Sequence, residues 1–275
     1  MSATVTVPLL AHLQRPDITA AIKAHGTARW PEEACGAITA EGFIPLANES
    51  PTPREAFSCC AGVAPLLAEH RLLALVHSHP TPAGQRRATQ DWPSADDMAG
   101  QMEMDVPWGL FTTTHETAST PWWWGAQLEP PKLVGRLFRH GPSGTDGRGD
   151  CYAVVRDWFK LTLGVELPDM AREWEWWAHP EETPEHNLYD AHFEKVGFRT
   201  VPASEVRVGD CAMITIPTLP AGGRGTPITH RSSHGAVYVG NEMVLHHVPS
   251  MRSIIQPLGS WNKLVQRWVR HASQF

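Results

Sequence analysis

The feature that most limits the fold of this chain is a run of irregular backbone near its middle. After Pro130 and Pro131 the sequence continues LVGRLFRHGPSGTDGRGD, with glycine at 135, 141, 144, 147 and 149 beside Pro142 and Ser143. Glycine this dense weakens helix and strand alike, so the stretch reads as a linker running into a loop. It separates two patterned regions, 1–130 and 131–275, and 275 residues with 42% hydrophobic content suffice to build a core in each. The first region mixes short β-type runs with helical periods, which predicts an α/β domain. The second opens with one helix and continues in β-rich segments, which predicts an α+β domain, a helix packed on a small antiparallel sheet.

In the first region ACGAIT and FIPLA suit paired strands, GVAPLLAEHRLL has the spacing of an amphipathic helix, and LALVHS follows as an apolar strand. SADDMAGQMEMD reads as a second helix capped by Ser94, and PWGLFTTT as the strand after it. Alternate residues of a strand face the same way, so His77 and His79 project together, and Pro80 marks where the ladder stops. Zinc in a hydrolytic site takes three protein ligands and keeps one position open, and Asp97 at the start of the next helix can supply the third. Glu33, with Glu32 beside it, is the candidate to take a proton from the attacking water. Ser94 is the candidate to donate to a developing oxyanion. The competing reading is structural: Ser-x-x-Asp is also a plain helix capping motif, and His-Ser-His can be an ordinary strand end.

Glu33-Ala-Cys-Gly, His77-Ser-His79-Pro80 and Ser94-x-x-Asp97 resemble the signature of the JAMM (Mov34/MPN) metallopeptidases, over residues 1–130. The resemblance implies Zn2+ held by His77, His79 and Asp97, with Glu33 as general base and Ser94 as oxyanion helper. The segment TPAGQRRATQDW between Pro80 and Pro93 is longer than the common family spacing, so Asp97 is expected to return by a looped excursion.

In the second region Cys151 follows Gly149-Asp150 and opens CYAVVRDWFKLTL. Its period sets Val154, Val155, Trp158 and Leu161 on one face, with Gly164 placed to end the helix. A helix N-terminus stabilises a thiolate, which makes Cys151 a candidate nucleophile. DCAMITIP, HGAVYVG and EMVLHHV predict successive antiparallel strands with a break at Gly240-Asn241. His234 at a strand end is the candidate base, and either His246 or His247, sent to opposite faces by strand alternation, can orient it. Cys211 lies inside an apolar strand, where a thiol is usually inert. The bland alternative makes Cys151 a small buried residue and the histidines ordinary core or surface groups.

Asp150-Cys151-Tyr152-Ala153-Val154-Val155-Arg156, Val208-Gly209-Asp210-Cys211, His234-Gly-Ala-Val-Tyr-Val-Gly240 and Leu245-His246 look like the NlpC-type papain-like cysteine peptidases, over residues 131–275. That resemblance implies cleavage of peptidoglycan stem peptides, with Cys151 as nucleophile, His234 as base and His246 orienting it. It also implies an oxyanion hole that includes the backbone N–H of Cys151. Tyr152 stands where the wider family often has serine.

A JAMM-type domain followed by an NlpC-type domain is similar to the tail-tip peptidases of long-tailed bacteriophages. This implies a protein made in the host cytoplasm, built into the virion tail tip among other tail-tip and hub proteins, and cutting the wall at host entry. MSATVTVPLL lacks the pattern of a Sec signal, and no stretch reaches bilayer-spanning length, so neither Sec export nor membrane insertion is expected. A formal charge of -6 with 19% charged residues provides no basic surface for nucleic acid. Five cysteines, with Cys59 and Cys60 adjacent, do not resemble a disulfide framework. Six of the 12 tryptophans cluster at 122–124 and at 174, 176 and 177, where they serve either as core or as a contact surface. In an extended REWEWW, one face would be aromatic and the other acidic. Two readings compete with a working tail-tip hydrolase: a structural tail protein whose catalytic folds act as docking modules, and a bacterial cytoplasmic peptidase.

Overall fold

A computed structural model describes residues 8–82, 90–181, 183 and 186–275; the opening MSATVTV and residues 83–89 of the excursion expected before Asp97 lie outside the described residues. Contacts divide the chain into two compact units, residues 1–93 with 100–129 and 144–146, and residues 94–99 with 130–143 and 147–275.

The N-terminal region is built on a five-stranded sheet. Its strands are β1 (Cys35–Thr39), β2 (Gly42–Leu46), β3 (Ala74–Pro80), β4 (Pro107–Thr113) and β5 (Trp122–Gly125), in the order β2-β1-β3-β4-β5. Only β3 and β4 run parallel, and the helix between them, α4 (Ala95–Met102), makes the crossover that a parallel pair requires. Helices α1 (Leu9–Leu13) and α2 (Pro16–Arg29) bury Leu13, Ile18 and Ile22 with Ile38, Val76, Phe111 and Trp123. Helix α3 (Cys60–Ala68) buries Val63 and Leu66 with Leu75, Trp108, Trp122 and Trp124. The α/β expectation therefore holds, and the first tryptophan cluster is core: period-two alternation on β5 sends Trp123 to one cluster and Trp122 and Trp124 to the other.

The C-terminal region packs helix α5 (Cys151–Leu163) on an antiparallel sheet. Its strands are β8 (Phe198–Val201), β9 (Cys211–Ile214), β10 (His234–Gly240), β11 (Met243–His246), β12 (Ile254–Pro257) and β13 (Val265–His271), in the order β12-β11-β10-β9-β13-β8. Val154, Val155, Trp158 and Phe159 of α5 meet Cys211, Met213, Val237, Leu245 and Val269 in one core. The buried face is centred on Val155, Trp158 and Phe159, so Leu161 falls at its edge in the last turn and is exposed, unlike the sequence expectation. Gly164 ends α5 in the left-handed conformation at φ 67°, a position glycine occupies without the steric cost of a Cβ.

The glycine-rich stretch is not a free linker. It contains β6 (Leu137–Phe138) and β7 (Arg148–Gly149), a short parallel pair, and buries Arg136, Arg139 and His140. Arg136 donates from Nη1 to Asp157 Oδ2 at 2.6 Å and from Nε and Nη2 to the carbonyls of Lys132 and Pro131, both at 2.6 Å. Burial pushes the Asp157 carboxyl up, with the Arg136 guanidinium opposing it. Arg136→Met leaves that carboxylate buried without its cation, so the transition of the C-terminal unit in urea should shift by about 3–5 kcal/mol, whereas loss of the solvent-screened Arg15–Asp17 pair should leave stability nearly unchanged. An equal response to Arg136→Met and Arg15→Met contradicts this.

Candidate active sites

The N-terminal candidate centre follows from the register of β1 and β3. Cys35 pairs with His77, Ser78 N–H donates to the Ala34 carbonyl at 2.9 Å, and Ala34 N–H donates to Ser78 Oγ at 2.9 Å. One further step of that register sets the buried Glu33 across from His79, on the face that carries His77. His77, His79 and Asp97 each offer one ligand atom within 4.8 Å of the other two; His77 and Asp97 are buried, and His79 lies at the border between buried and half-buried.

Three further contacts orient this group. His79 Nδ1 bonds the Gln90 carbonyl at 3.0 Å; a carbonyl only accepts, so the ring proton sits on Nδ1 and Nε2 keeps its lone pair. His77 stacks on Phe57 with ring centroids 4.3 Å apart. Asp97 Oδ2 accepts from Ser94 N–H at 2.8 Å, while Ser94 Oγ accepts from Asp97 N–H at 3.0 Å. Ser94-x-x-Asp97 is thus a capping box as well as part of the candidate centre, and the capping bonds fix the carboxylate that faces the imidazoles. Two imidazoles and one carboxylate whose ligand atoms converge are a donor set that fits zinc. A second group among the described residues, His179, Glu181 and His186, meets the same distance limit on the surface with Glu181 exposed. Solvated groups of that kind are common without an ion, so the buried set is the candidate metal centre.

The C-terminal candidate centre is organised by Asp150. Its carboxylate caps α5, accepting from Ala153 N–H at 2.9 Å, and also accepts from Gly141 N–H at 3.0 Å and Arg172 Nε at 2.7 Å. Cys151, next in the chain, shares a cleft with Phe138, Trp176, Trp177, Tyr189 and His234. Its Sγ lies 3.2 Å from Tyr189 Oη, and the backbone N–H of Gly235 donates to it. A Cβ at Gly235 would stand 2.8 Å from Tyr189 Oη, so only glycine leaves room for the phenol there. His234 Nε2 lies 3.0 Å from His246 Nδ1, and His246 Nε2 lies 2.7 Å from the Gln256 amide. His247 instead bonds the Met251 carbonyl at 3.2 Å, so His246 is the histidine that meets His234. Trp261 covers the pair, with ring centroids 5.8 Å from His234 and 4.8 Å from His246.

The electrostatics depart from the expectation that the helix end stabilises a thiolate. Burial, and then the Asp150 charge, push the Cys151 thiol up to about 11, while bonds from Tyr189 and Gly235 and the Arg172 charge act the other way. Burial, then the neighbouring His246 and His247, hold His234 well below the usual imidazole range, and burial brings His246 down to about 4. At neutral pH the Cys151 thiol and the His234 imidazole, which line the same cleft, are both neutral. Cys211 is buried and its thiol is pushed upward for the same reason, which matches an inert residue.

Several other residues took places that their sequence pattern did not give. Tyr152 is buried, with its hydroxyl donating to the Pro168 carbonyl at 2.7 Å. Asp210 accepts from Arg270 Nε at 2.7 Å and Nη2 at 2.8 Å, a structural pair inside Val208-Gly209-Asp210-Cys211. REWEWW does not alternate its faces: Trp176–Ala178 forms a 3-10 turn, Trp176 is buried, Trp176 and Trp177 line the cleft, and of the three tryptophans Trp174 alone is exposed. Sequence reading missed Tyr189, Arg172, Gln256 and Trp261; only Arg172 lies in a segment singled out above, as the first residue of REWEWW.

Residues 135–271 match the NlpC/P60 family. The chain is 32% identical over 184 residues to the tail tip assembly protein K of Escherichia phage lambda, covering 66% of this chain and 72% of that protein. It is 26% identical over 266 residues to the tail tip assembly protein K of Escherichia phage N15, covering 91% of this chain and 93% of that protein. Among solved structures it is similar to an NLP/P60 family protein of Staphylococcus aureus at 18% identity, covering 50% of this chain and 37% of that one with a TM-score of 0.33, a likeness too slight to weigh beside the others. With 72% of the lambda protein matched at that identity, and the cysteine cleft inside the NlpC/P60 match, the chain belongs to the phage tail tip assembly protein K family and carries an NlpC/P60 domain.

Proposed function

We propose that this protein is a tail-tip hydrolase whose C-terminal centre cuts peptidoglycan stem peptides as a cysteine endopeptidase during host entry, and whose N-terminal centre is a JAMM-type zinc site. The observation that carries the first part is Cys151 at the capped start of α5, in one cleft with a His234 that is itself held by His246. Cys151 Sγ attacks the peptide carbonyl carbon as its proton passes to His234 Nδ1, the ring nitrogen that His246 leaves open. The backbone N–H of Cys151 takes part in holding the oxyanion. His234 then gives the proton to the departing amine, and water releases the thioester from Cys151. Because thiol and imidazole are neutral at rest, the proton moves as the substrate arrives rather than beforehand.

In the N-terminal centre His77, His79 and Asp97 would hold the zinc. When bound, zinc supplies a Lewis acid that polarises a carbonyl and acidifies its water. Glu33, buried two residues before Cys35, would take a proton, and the Ser94 hydroxyl, which accepts from Asp97 N–H, still has its own proton to donate. Tail-tip and hub proteins are the assembly partners this reading implies, and the virion tail tip is its location, in keeping with the family. No described helix is long and apolar enough to cross a membrane.

Three measurements test these assignments. Purified protein should cleave muropeptides, and Cys151→Ala should reduce the rate by at least about 1,000-fold; full activity in that variant refutes the nucleophile. Alkylation of Cys151 in resting protein should rise about tenfold per pH unit from pH ~7 toward about 11, since a raised thiol is protonated below that value. A rate already level from pH ~5 upward would instead reveal a preformed thiolate. Zinc measured by elemental analysis should be bound by the native chain and lost on joint His77→Ala and His79→Ala substitution, and unchanged zinc removes the metal assignment.

A further inference from the structure

We propose that Gln256 is a positioning residue of the cysteine centre, whose amide oxygen sets the proton arrangement of His246 and through it that of His234. The inference rests on the assignment of His234 as base. Gln256 lies on β12, where Val244 pairs with Gln256 and His246 with Ile254, so its side chain shares a face of the sheet with His246. The contacts form a chain: His234 Nε2 to His246 Nδ1 at 3.0 Å, then His246 Nε2 to the Gln256 amide at 2.7 Å.

Each link holds one proton, and a neutral imidazole has one N–H and one lone pair, so the chain has two arrangements. If the Gln256 amide nitrogen donates to His246 Nε2, then His246 Nδ1–H donates to His234 Nε2. His234 then carries its proton on Nδ1 and has no lone pair for the Cys151 proton. If the amide oxygen accepts from His246 Nε2–H, then His246 Nδ1 accepts from His234 Nε2–H. His234 Nδ1 is now the lone pair, and the imidazolium formed on attack keeps its bond to His246. Only the second arrangement supplies a base. The structure sets Gln256 Nε2 against His246 Nε2, but the two amide atoms are interchangeable by rotation of the terminal group, and the base role of His234 requires the amide turned so that Oε1 faces His246 Nε2. Trp261 covers the two rings, which reduces exchange of these bonds with water. The titratable groups facing His246 are His234 on β10 and His247, the next residue, which is bonded to the Met251 carbonyl.

Two kinds of variant test the proposal. Gln256→Met fills the space without an acceptor and should lower kcat on muropeptides roughly 10- to 100-fold with KM unchanged. Gln256→Glu keeps an acceptor and should retain kcat within a few-fold, with the acid limb of the pH profile moved to higher pH because a carboxylate favours the imidazolium. Equal kcat in native protein and Gln256→Met overturns the proposal, and so does an equal loss in both variants. Nitrogen-15 NMR of the native imidazoles is independent of turnover and of variant folding: protons on Nε2 of both His234 and His246 are expected, and a proton on Nδ1 of His234 overturns the proposal. If muropeptides are not cleaved at all, the functional reading fails while this NMR result still decides the arrangement.

Discussion

The cysteine centre depends on one buried carboxylate. Asp150 accepts hydrogen bonds from the first turn of α5, from Gly141 in the glycine-rich stretch, and from Arg172, and the same arginine reaches Asp169 at 2.9 Å. Three segments far apart in sequence are tied to a single side chain that precedes the nucleophile. A buried ion pair of this kind contributes little over an apolar substitute of equal shape, but removing one partner strands a charge. Its value here is positional: it fixes where α5 begins and hence where Cys151 Sγ stands. The same negative charge raises the thiol's affinity for its proton, and Arg172 only partly offsets it. Position and reactivity therefore pull in opposite directions, and burial, the larger cause, keeps both the thiol and the His234 imidazole neutral at rest.

Both centres use strand ends to place histidines. In the N-terminal region alternation along β3 puts His77 and His79 on one face, and the capping box at Ser94 holds the Asp97 carboxylate that meets them. In the C-terminal region β10 starts at His234 and β11 ends at His246, so the antiparallel hairpin brings the two rings together without a loop having to find them. A sheet fixes such distances more firmly than a mobile segment does, which suits groups that must exchange a proton.

Much of this was legible from local sequence. Cys35–Thr39 and Gly42–Leu46 pair as their composition indicates, His77 and His79 share a face because strand side chains alternate, and Gly164 ends α5 because it alone takes the left-handed conformation cheaply. Long-range placement was not legible. Tyr189 reaches Cys151 across 38 positions and Arg172 reaches Asp150 across 22, and no periodicity reports such contacts. The thiol's raised affinity for its proton was hidden for the same reason: a helix start reads as favourable to a thiolate, but burial by distant segments outweighs it. Leu161 and REWEWW show the limit of periodicity alone, since the first lies at the edge of a packed face and Trp176 and Trp177 of the second belong to a 3-10 turn rather than a strand.

The central claim is covalent catalysis at Cys151, and acid-quenched mass spectrometry of the native protein during muropeptide turnover tests it most directly. A thioester on the peptide containing Cys151, with the mass of the acyl half of a stem peptide and disappearing as product accumulates, is the predicted result. Product formed with no adduct on Cys151 at any time, and still formed when that thiol is blocked, would contradict it.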